Sequence, residues 1–168
     1  MIVPAFDYRD KIEEAWAIAA SHPDFLFWDV SPQYYHGTDT DPRYKQDEWV
    51  SLNQQGEVVG YFCAFVDKAT ISVDDISIAK FKDDKSFAFD LVRFIRNMRR
   101  RYRVTRWACV IGNPSEKNYD RIALLYGGRI VGTFSKKVKL LDGRYYDEKW
   151  YEVERASKMK KVPPEFRA

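Results

Sequence analysis

A helix-like segment separates two strand-like segments in the middle of this chain of 168 residues. Residues 70–79 alternate in character as a strand does, and residues 106–111 form another apolar strand. From Ser86 onward, apolar side chains recur at the spacing of one helical face: Phe87, Leu91, Phe94, Ile95 and Met98. Strands joined through a helix are usually parallel, because the chain must cross over before the second strand begins. The chain is therefore predicted to contain one parallel strand pair.

The segments on either side of this unit predict antiparallel strands. Residues 48–53 and 58–66 are strand-like and are joined by a short polar turn. Residues 130–141 and 145–154 flank Asp142-Gly143, which is a strong hairpin signal. The sequence thus predicts an α/β (α+β) fold with a mixed, mostly antiparallel central sheet flanked by helices. Such a sheet splays where the pairing changes direction, and ligands often bind at that point.

One domain accounts for most of the chain. Residues 10–21 predict a helix whose apolar face comprises Ile12, Ala15, Trp16, Ile18 and Ala19. Residues 31–47 are rich in Pro, Gly, Asp and Tyr and predict a long loop or a broken helix. No linker divides the chain, so residues 1–156 are predicted to form a single domain. Residues 157–168 form a basic, proline-containing tail that is expected to be loosely held.

The composition excludes several classes of protein. The chain is 45% hydrophobic and 32% charged, which favours a folded domain over disorder. Cys63 and Cys109 lie in apolar strands and are interpreted as buried thiols, and the scattered His and Cys residues lack the spacing of a metal site. No apolar run is long enough to span a membrane and no leader pattern begins the chain, so a cytoplasmic location is expected.

Arginines are frequent on and just after the long helix: Arg93, Arg96, Arg99, Arg100, Arg101, Arg103 and Arg106. They could contact the phosphates of a nucleic acid. A solvated helix face with cations near its C-terminus is the simpler interpretation. The net charge of only +3 favours that simpler interpretation, so no nucleic-acid partner is predicted.

Four runs, in this order, resemble the GNAT family of acyl-CoA-dependent N-acyltransferases. Residues 56–62 resemble the third strand of that family and residues 71–79 its fourth strand. Residues 113–129 resemble the end of the fifth strand and the fourth helix of the family, and residues 138–147 resemble its closing hairpin. The resemblance implies the GNAT fold, with the sheet splayed between strands 4 and 5. It also implies acetyl transfer from acetyl-CoA to a primary amine of a small molecule or peptide, by direct attack in a ternary complex.

The resemblance further implies a set of cofactor-binding residues. In the family, backbone N–H groups of the fourth strand pair with the pantetheine, which here points to Ile78, Ala79 and Lys80. An asparagine at the start of the fourth helix also bonds the pantetheine, and Asn113 and Asn118 both match it. Helix capping is the structural alternative for both asparagines.

The pyrophosphate loop of the family departs from its pattern here. Its glycine-containing motif corresponds to residues 83–88, where Ser86 replaces a glycine and Asp83 replaces a basic or amide residue. Backbone amides at Lys85, Ser86, Phe87 and Ala88 would hold the pyrophosphate, with Phe87 covering it. Ser86 is also a suitable helix N-cap. Two aspartates, residues 83 and 84, are unfavourable beside a pyrophosphate.

Candidate catalytic residues follow from the same resemblance. Asp74 and Asp75 are candidates for the general base, and as neighbours in a strand they are expected to point to opposite faces. Tyr126 is the candidate acid that protonates the leaving thiolate, because the family often uses a tyrosine on this helix. Counted back from Gly128, Leu124 occupies the usual tyrosine position, and Tyr119 is another candidate. Core packing is an equally good role for Tyr126.

The acceptor and partners are less defined. The amine is expected to contact aromatic side chains of the loop and the last hairpin, namely Trp28, Tyr34, Tyr35, His36 and residues 145–150. Family members often pair through terminal strands, so a homodimer is an open alternative to a monomer. A GNAT-fold binding or regulatory module without catalysis is the alternative function, favoured by the altered pyrophosphate loop and the displaced tyrosine.

Overall fold

The computed structural model describes residues 1–20 and 42–155. Predictions for residues 21–41 and 156–168 lie outside this part, including those for Trp28, Tyr34, Tyr35, His36 and the basic tail. The described strands are β1 (Ile2–Pro4), β2 (Tyr44–Leu52), β3 (Val58–Asp67), β4 (Ser72–Lys80), β5 (Val104–Val110), β6 (Arg129–Lys139) and β7 (Tyr145–Glu154). The helices are α1 (Arg9–Ala20), α2 (Lys85–Arg101) and α3 (Glu116–Leu125), with a short 3₁₀ turn at Phe6–Tyr8.

Seven strands form one sheet in the order β1-β2-β3-β4-β5-β7-β6. Neighbouring strands are antiparallel except β4 and β5, which are parallel and are joined through α2. This confirms the predicted mixed, mostly antiparallel sheet and its single parallel crossover. Only two residue pairs connect β4 to β5, namely Ser72 with Val104 and Val73 with Thr105. Beyond these pairs the two strands diverge, so the sheet is splayed as expected.

Helix α2 contributes the face predicted for it. Its residues Phe87, Leu91, Phe94, Ile95 and Met98 are all buried in the main core. The rings of Phe62 and Phe94 stack with centroids 5.1 Å apart, which joins the helix to β3. Asp90 of the same helix is also buried, where it accepts a hydrogen bond from Ser51 Oγ at 2.8 Å and lies 3.0 Å from the N-terminal ammonium of Met1.

The N-terminal region differs from the prediction in three places. Strand β1 was not predicted, because three residues are too few to show a period. Strand β2 begins at Tyr44 rather than at residue 48, since residues 44–47 continue the register of β3. In α1, Ile12 and Ala19 are buried, but Ile18 is exposed because it lies outside the stripe that faces the sheet.

The two glycines after α3 have different structural roles. Gly127 has a φ of +70°, so it supplies the left-handed residue that ends the helix. A Cβ at Gly128 would lie 2.5 Å from Val153 Cγ2 and 2.6 Å from the Glu152 carbonyl oxygen. Gly128 therefore permits the close approach of the helix end to β7.

Candidate active site

The candidate site begins where β4 and β5 separate. The register of β4 against β3 moves from Val73 opposite Val66 to Asp75 opposite Phe65, so Asp74 is an extra residue. This β-bulge directly follows Val73, the last residue of β4 that pairs with β5. The two candidate carboxylates thus lie at the apex of the splay, where bulges commonly redirect side chains.

Asp74 belongs to an ion-pair network that crosses the splay. Its Oδ1 accepts a hydrogen bond from Ser72 Oγ at 2.7 Å and lies 3.3 Å from Arg106 Nη1. Arg106 Nε donates to Glu152 Oε2 at 2.9 Å, and Arg129 Nη2 donates to Glu152 Oε1 at 2.9 Å. Alternating charges therefore connect β4, β5, β7 and β6 on one face of the sheet.

The aspartates do not point to opposite faces as expected. Val73 and Ile76 both lie in the core against α2, although strict alternation would separate them. Arg106 precedes the core residue Trp107 in β5, so its side chain lies on the face away from α2, and its contact places Asp74 there. Asp75, next to Ile76, is on that face as well. The bulge breaks the alternation on which the expectation depended.

Asp75 has different surroundings from Asp74. It is half-buried, and its Oδ1 accepts a hydrogen bond from the Ile76 N–H at 2.7 Å. Its charge is close enough to contribute to the raised pKa of the buried Cys63 thiol, which burial itself raises most. Asp75 therefore faces the β3 side of the splay, whereas Asp74 is bound to the β5 side.

The β4 wall of the splay consists of the residues predicted to hold the pantetheine. Ile78 is half-buried against the main core, Ala79 is buried and Lys80 is exposed. Among the residues described, this part of β4 has no ladder partner on the β5 side. An unpaired strand edge can hydrogen-bond an extended ligand that carries amide groups. The wall therefore fits the amide-containing arm of pantetheine.

The N-terminus of α2 is occupied by the chain's own carboxylate. Asp84, not Ser86, is the N-cap, and its Oδ1 accepts hydrogen bonds from Ser86 N at 2.8 Å and Ser86 Oγ at 2.6 Å. These bonds hold the pKa of Asp84 below its usual value. Phe87 N donates to the Asp84 carbonyl oxygen at 3.2 Å. The amides of Ser86 and Phe87 are thus already bonded, so the helix N-terminus does not fit a pyrophosphate in this form.

Phe87 is not placed to cover a bound molecule. It is 8% exposed, and its ring stacks on Phe62 with centroids 5.3 Å apart. Gly60 on β3 allows this packing, because a Cβ there would lie 2.3 Å from the Phe87 ring. The expectation that Phe87 covers the cofactor is therefore wrong, since the ring fills the core. Lys85 and Ala88 are exposed at the helix start.

Solved structures share this arrangement, although neither a protein-family profile nor a curated protein sequence matches the chain. Spermidine N-acetyltransferase from Vibrio cholerae, solved with CoA and spermine, matches with a TM-score of 0.71 and 14% identity, over 94% of this chain and 96% of that one. Ribosomal-protein-alanine N-acetyltransferase from Brucella melitensis matches with a TM-score of 0.64 and 18% identity, over 92% and 99%. This chain has the GNAT acetyltransferase fold. At these identities, the similarity establishes the fold alone.

The β5 side of the splay ends in a turn that positions Asn113. In this GNAT fold, Asn113 Oδ1 accepts a hydrogen bond from Ser115 N at 2.8 Å, and its carbonyl oxygen accepts from Glu116 N at 2.9 Å. Asn118 is exposed on α3, and its backbone N–H bonds the Ser115 carbonyl oxygen. The contacts of Asn113 are those of a turn and helix start, so a pantetheine contact from Asn113 or Asn118 stays a prediction.

The two candidate tyrosines, one on α3 and one at its C-terminal end, occupy different environments. Tyr126 is fully buried, its hydroxyl donates to the Val92 carbonyl oxygen at 3.4 Å, and the Arg99 guanidinium lies 5.3 Å from its ring centroid. These contacts are those of core packing between α3 and α2. Tyr119 lies near Cys109 of β5, and burial raises the pKa of its hydroxyl well above the usual range. Tyr119 therefore keeps its proton at neutral pH beside the β5 wall.

Aromatic side chains of the last hairpin lie on the sheet beyond β5. Trp150 is half-buried, donates from Nε1 to Glu148 Oε2 at 2.5 Å and meets Phe134 edge-on at 6.5 Å. Tyr145 is exposed, with the Lys139 ammonium 5.8 Å from its ring centroid. Their role in binding an acceptor stays a prediction.

Sequence reasoning missed the residues that bridge the apex: Ser72, Arg106, Arg129 and Glu152. Arg106 carried the one usable signal, because a charged residue inside an apolar strand requires a partner. The identity of that partner depends on strand order and was not available from the sequence.

In the part of the chain that the structure covers, no helix is long and apolar enough to cross a membrane. The same residues contain no cluster of three or more His, Cys, Asp or Glu side chains suited to a metal ion.

Proposed function

We propose that the protein is an N-acyltransferase that moves an acetyl group from a pantetheine thioester, with acetyl-CoA as the reference donor, to a primary amine. The observation that carries this proposal is the splay, where one wall is a β4 edge that has no ladder partner among the described residues and two carboxylates lie at the apex. The acceptor would be a small molecule or a peptide. The neighbouring enzyme solved with CoA and spermine supports a CoA-derived donor and an amine acceptor for this fold.

Asp75 is the proposed general base. An amine attacks a thioester only after losing its proton, and a carboxylate near the reacting carbon can accept it. The Ile76 N–H holds Asp75 Oδ1 in place at the bulge. Asp74 acts as a positioning residue, since its carboxylate is bound by Ser72 and Arg106.

Two other roles complete the proposed reaction. Backbone N–H groups of residues 78–80 bind the pantetheine amides and align the thioester along β4. A tyrosine on or just after α3 returns a proton to the leaving thiolate, and Tyr119 is preferred to Tyr126 because the Tyr126 hydroxyl donates to the Val92 carbonyl oxygen inside the core.

The test is a transfer assay over a panel of amines. Purified protein is supplied with acetyl-CoA or acetyl-pantetheine at up to about 1 mM, the upper range of common KM values. Thiol release that depends on the amine, together with mass-spectrometric detection of the acetylated amine, would support the proposal. Absence of release with both donors, and of donor binding by calorimetry, would overturn it.

A binding or regulatory module without catalysis is the second candidate function. The capped N-terminus of α2 favours it, because the carboxylate of Asp84 takes the position that an anionic cofactor would need. This candidate predicts no amine-dependent thiol release with any donor, whereas the enzyme predicts release with at least one.

A further inference from the structure

The loop before α2 balances its own charges. Lys80 Nζ lies 2.6 Å from Asp83 Oδ1, and Lys82 Nζ lies 3.2 Å from Glu57 Oε2. Among the residues with described contacts, Lys85 is the loop cation left without a carboxylate partner, and Asp84 offsets its charge. The three lysines are therefore matched by three carboxylates, so a ligand with several phosphates would find no excess of positive charge in the loop itself.

Backbone N–H groups at the start of α2 are also hydrogen-bonded within the protein. Anion binding at a helix start depends on backbone N–H groups that point outward without a partner. Asp84 accepts the Ser86 N–H through its side chain and the Phe87 N–H through its carbonyl oxygen. A phosphate could bond the Ser86 amide only after displacing a carboxylate of the same charge, and the Phe87 amide only after displacing a backbone carbonyl oxygen.

The splay itself provides contacts that suit pantetheine. Pantetheine is uncharged and carries two amide groups, which match the donors and acceptors of an open strand edge. The β4 wall at residues 78–80 provides such an edge, and the bulge at Asp74 places carboxylates at its inner end. The contacts suited to the pantetheine arm are thus present, while those suited to the adenosine diphosphate end are already taken.

From this combination we infer that the acyl donor is recognised through its pantetheine arm, and that a pantetheine thioester with at most one phosphate serves about as well as acetyl-CoA. The inference rests on the proposed acyltransferase function. In the reaction, the C–S bond of the thioester breaks and a C–N bond forms. The amine proton passes to Asp75, and the thiolate takes a proton to leave as a thiol. None of these steps uses the adenosine diphosphate.

The test compares kcat/KM for acetyl-pantetheine, acetyl-4′-phosphopantetheine and acetyl-CoA with one accepted amine. In an enzyme that uses the remote part of its donor, truncation lowers kcat/KM strongly, whereas here we expect the three values to agree within about tenfold. The second donor separates a single phosphate from the full nucleotide. A preference of wild-type protein for acetyl-CoA by more than about tenfold would overturn the inference.

Two variants test whether the Asp84 carboxylate is the reason that acetyl-CoA has no advantage over acetyl-pantetheine. Asp84→Ser keeps a capping hydroxyl but removes the carboxylate, so we expect it to raise kcat/KM for acetyl-CoA by about tenfold without changing that for acetyl-pantetheine. Asp83→Asn removes the same charge from a side chain that is 96% exposed and that caps no amide. It should therefore change the ratio of kcat/KM for acetyl-CoA to kcat/KM for acetyl-pantetheine less than Asp84→Ser does. Equal ratios in wild type and Asp84→Ser would overturn the role of the cap. Circular dichroism verifies that each variant is folded.

The outcomes also separate this inference from the proposed function. Turnover with all donors but a strong preference for acetyl-CoA would leave the acyltransferase proposal intact and overturn the inference alone. Absence of turnover and of binding with every donor would overturn the acyltransferase, and the inference with it.

Discussion

Asp74 and Asp75 are adjacent in sequence but differ in their electrostatic partners. Asp74 is bonded to a guanidinium and a hydroxyl, whereas Asp75 is held by a backbone N–H. The bulge creates this difference, because it places both carboxylates on the face away from α2 at the point where β4 leaves β5. At the scale of single residues, the bulge therefore gives two adjacent carboxylates different hydrogen-bond partners.

Substitution of Asp75 should remove the base. We expect Asp75→Asn to lower kcat/KM by about 10²–10⁴-fold with any accepted donor, the usual contribution of a general base. Asp74→Asn is the matched control, because it keeps the shape and a hydrogen-bond acceptor, and its loss should be less than about tenfold. Steady-state kinetics on both variants decide the assignment, and a larger loss in Asp74→Asn would reverse it.

The cysteines should not interfere with such assays. Burial raises the pKa of Cys63, and it raises that of Cys109 to about 12, so both thiols stay protonated and shielded at neutral pH. We expect the native protein to release no thionitrobenzoate from DTNB, and the unfolded protein to release two equivalents from its two cysteines. Rapid reaction of the native protein would show that one of these strands opens.

Two elements define the splay, β4 with its bulge and α2 with its self-capped start. The helix face of α2 follows from periodicity, but its N-cap does not, because Asp84 and Ser86 are both residue types favoured at that position. The α3 end adds a steric constraint, since Gly128 packs against β7.

The cap of α2 should make stability depend on pH in acid. The pKa of Asp84 in the folded protein is below its ordinary value of 3.8, because Ser86 donates to the charged form. When the pKa of a carboxyl is lower in the folded protein than in the unfolded chain, ionisation of that carboxyl stabilises the fold at every pH above the unfolded-state pKa. This contribution is lost as the pH falls through the folded-state pKa. We expect Asp84→Ala to lower the thermal midpoint above about pH 4 but not in stronger acid. A midpoint difference that persists at the lowest pH would contradict this.

The end of α3 should tolerate no side chain at Gly128. A Cβ there lies within 2.6 Å of backbone and side-chain atoms of β7, so Gly128→Ala should reduce the free energy of unfolding by about 1–3 kcal/mol. Gly132→Ala is the control, because its nearest neighbour is Phe134 at 3.7 Å. That variant should change the free energy by less than about 1 kcal/mol in urea titrations. Equal effects of the two variants would contradict the steric account.

At the scale of the whole molecule, the sheet consists of two halves joined by few contacts. The halves meet at two parallel residue pairs, at α2, and at the ion pair of Arg106 with Asp74. The opening between them begins where β4 and β5 stop pairing, after Val73 and Thr105. The same topology leaves β6 at the edge of the described sheet.

The homodimer stays a prediction, and β6 is where we expect it to form. Ile130, Val131 and Phe134 on this strand are 45–51% exposed, which is unusual for three apolar side chains so close together. Sedimentation velocity over a range of concentrations should show a dimer that Phe134→Lys converts to a monomer. A wild-type protein that sediments as a monomer throughout would contradict this.

The sequence by itself determined the order of the helices and strands from α1 onward, but not the short strand β1. The apolar period of α2, the alternation in β3 and β4 and the Asp-Gly hairpin are local signals, and together they predict one parallel crossover in a mostly antiparallel sheet. Only the tertiary structure decided which side chains serve the splay. The bulge at Asp74, the partner of Arg106 and the core positions of Phe87 and Tyr126 depend on register and packing between segments far apart in the chain. Local pattern carries no information on such contacts, because each is set by what lies opposite in space.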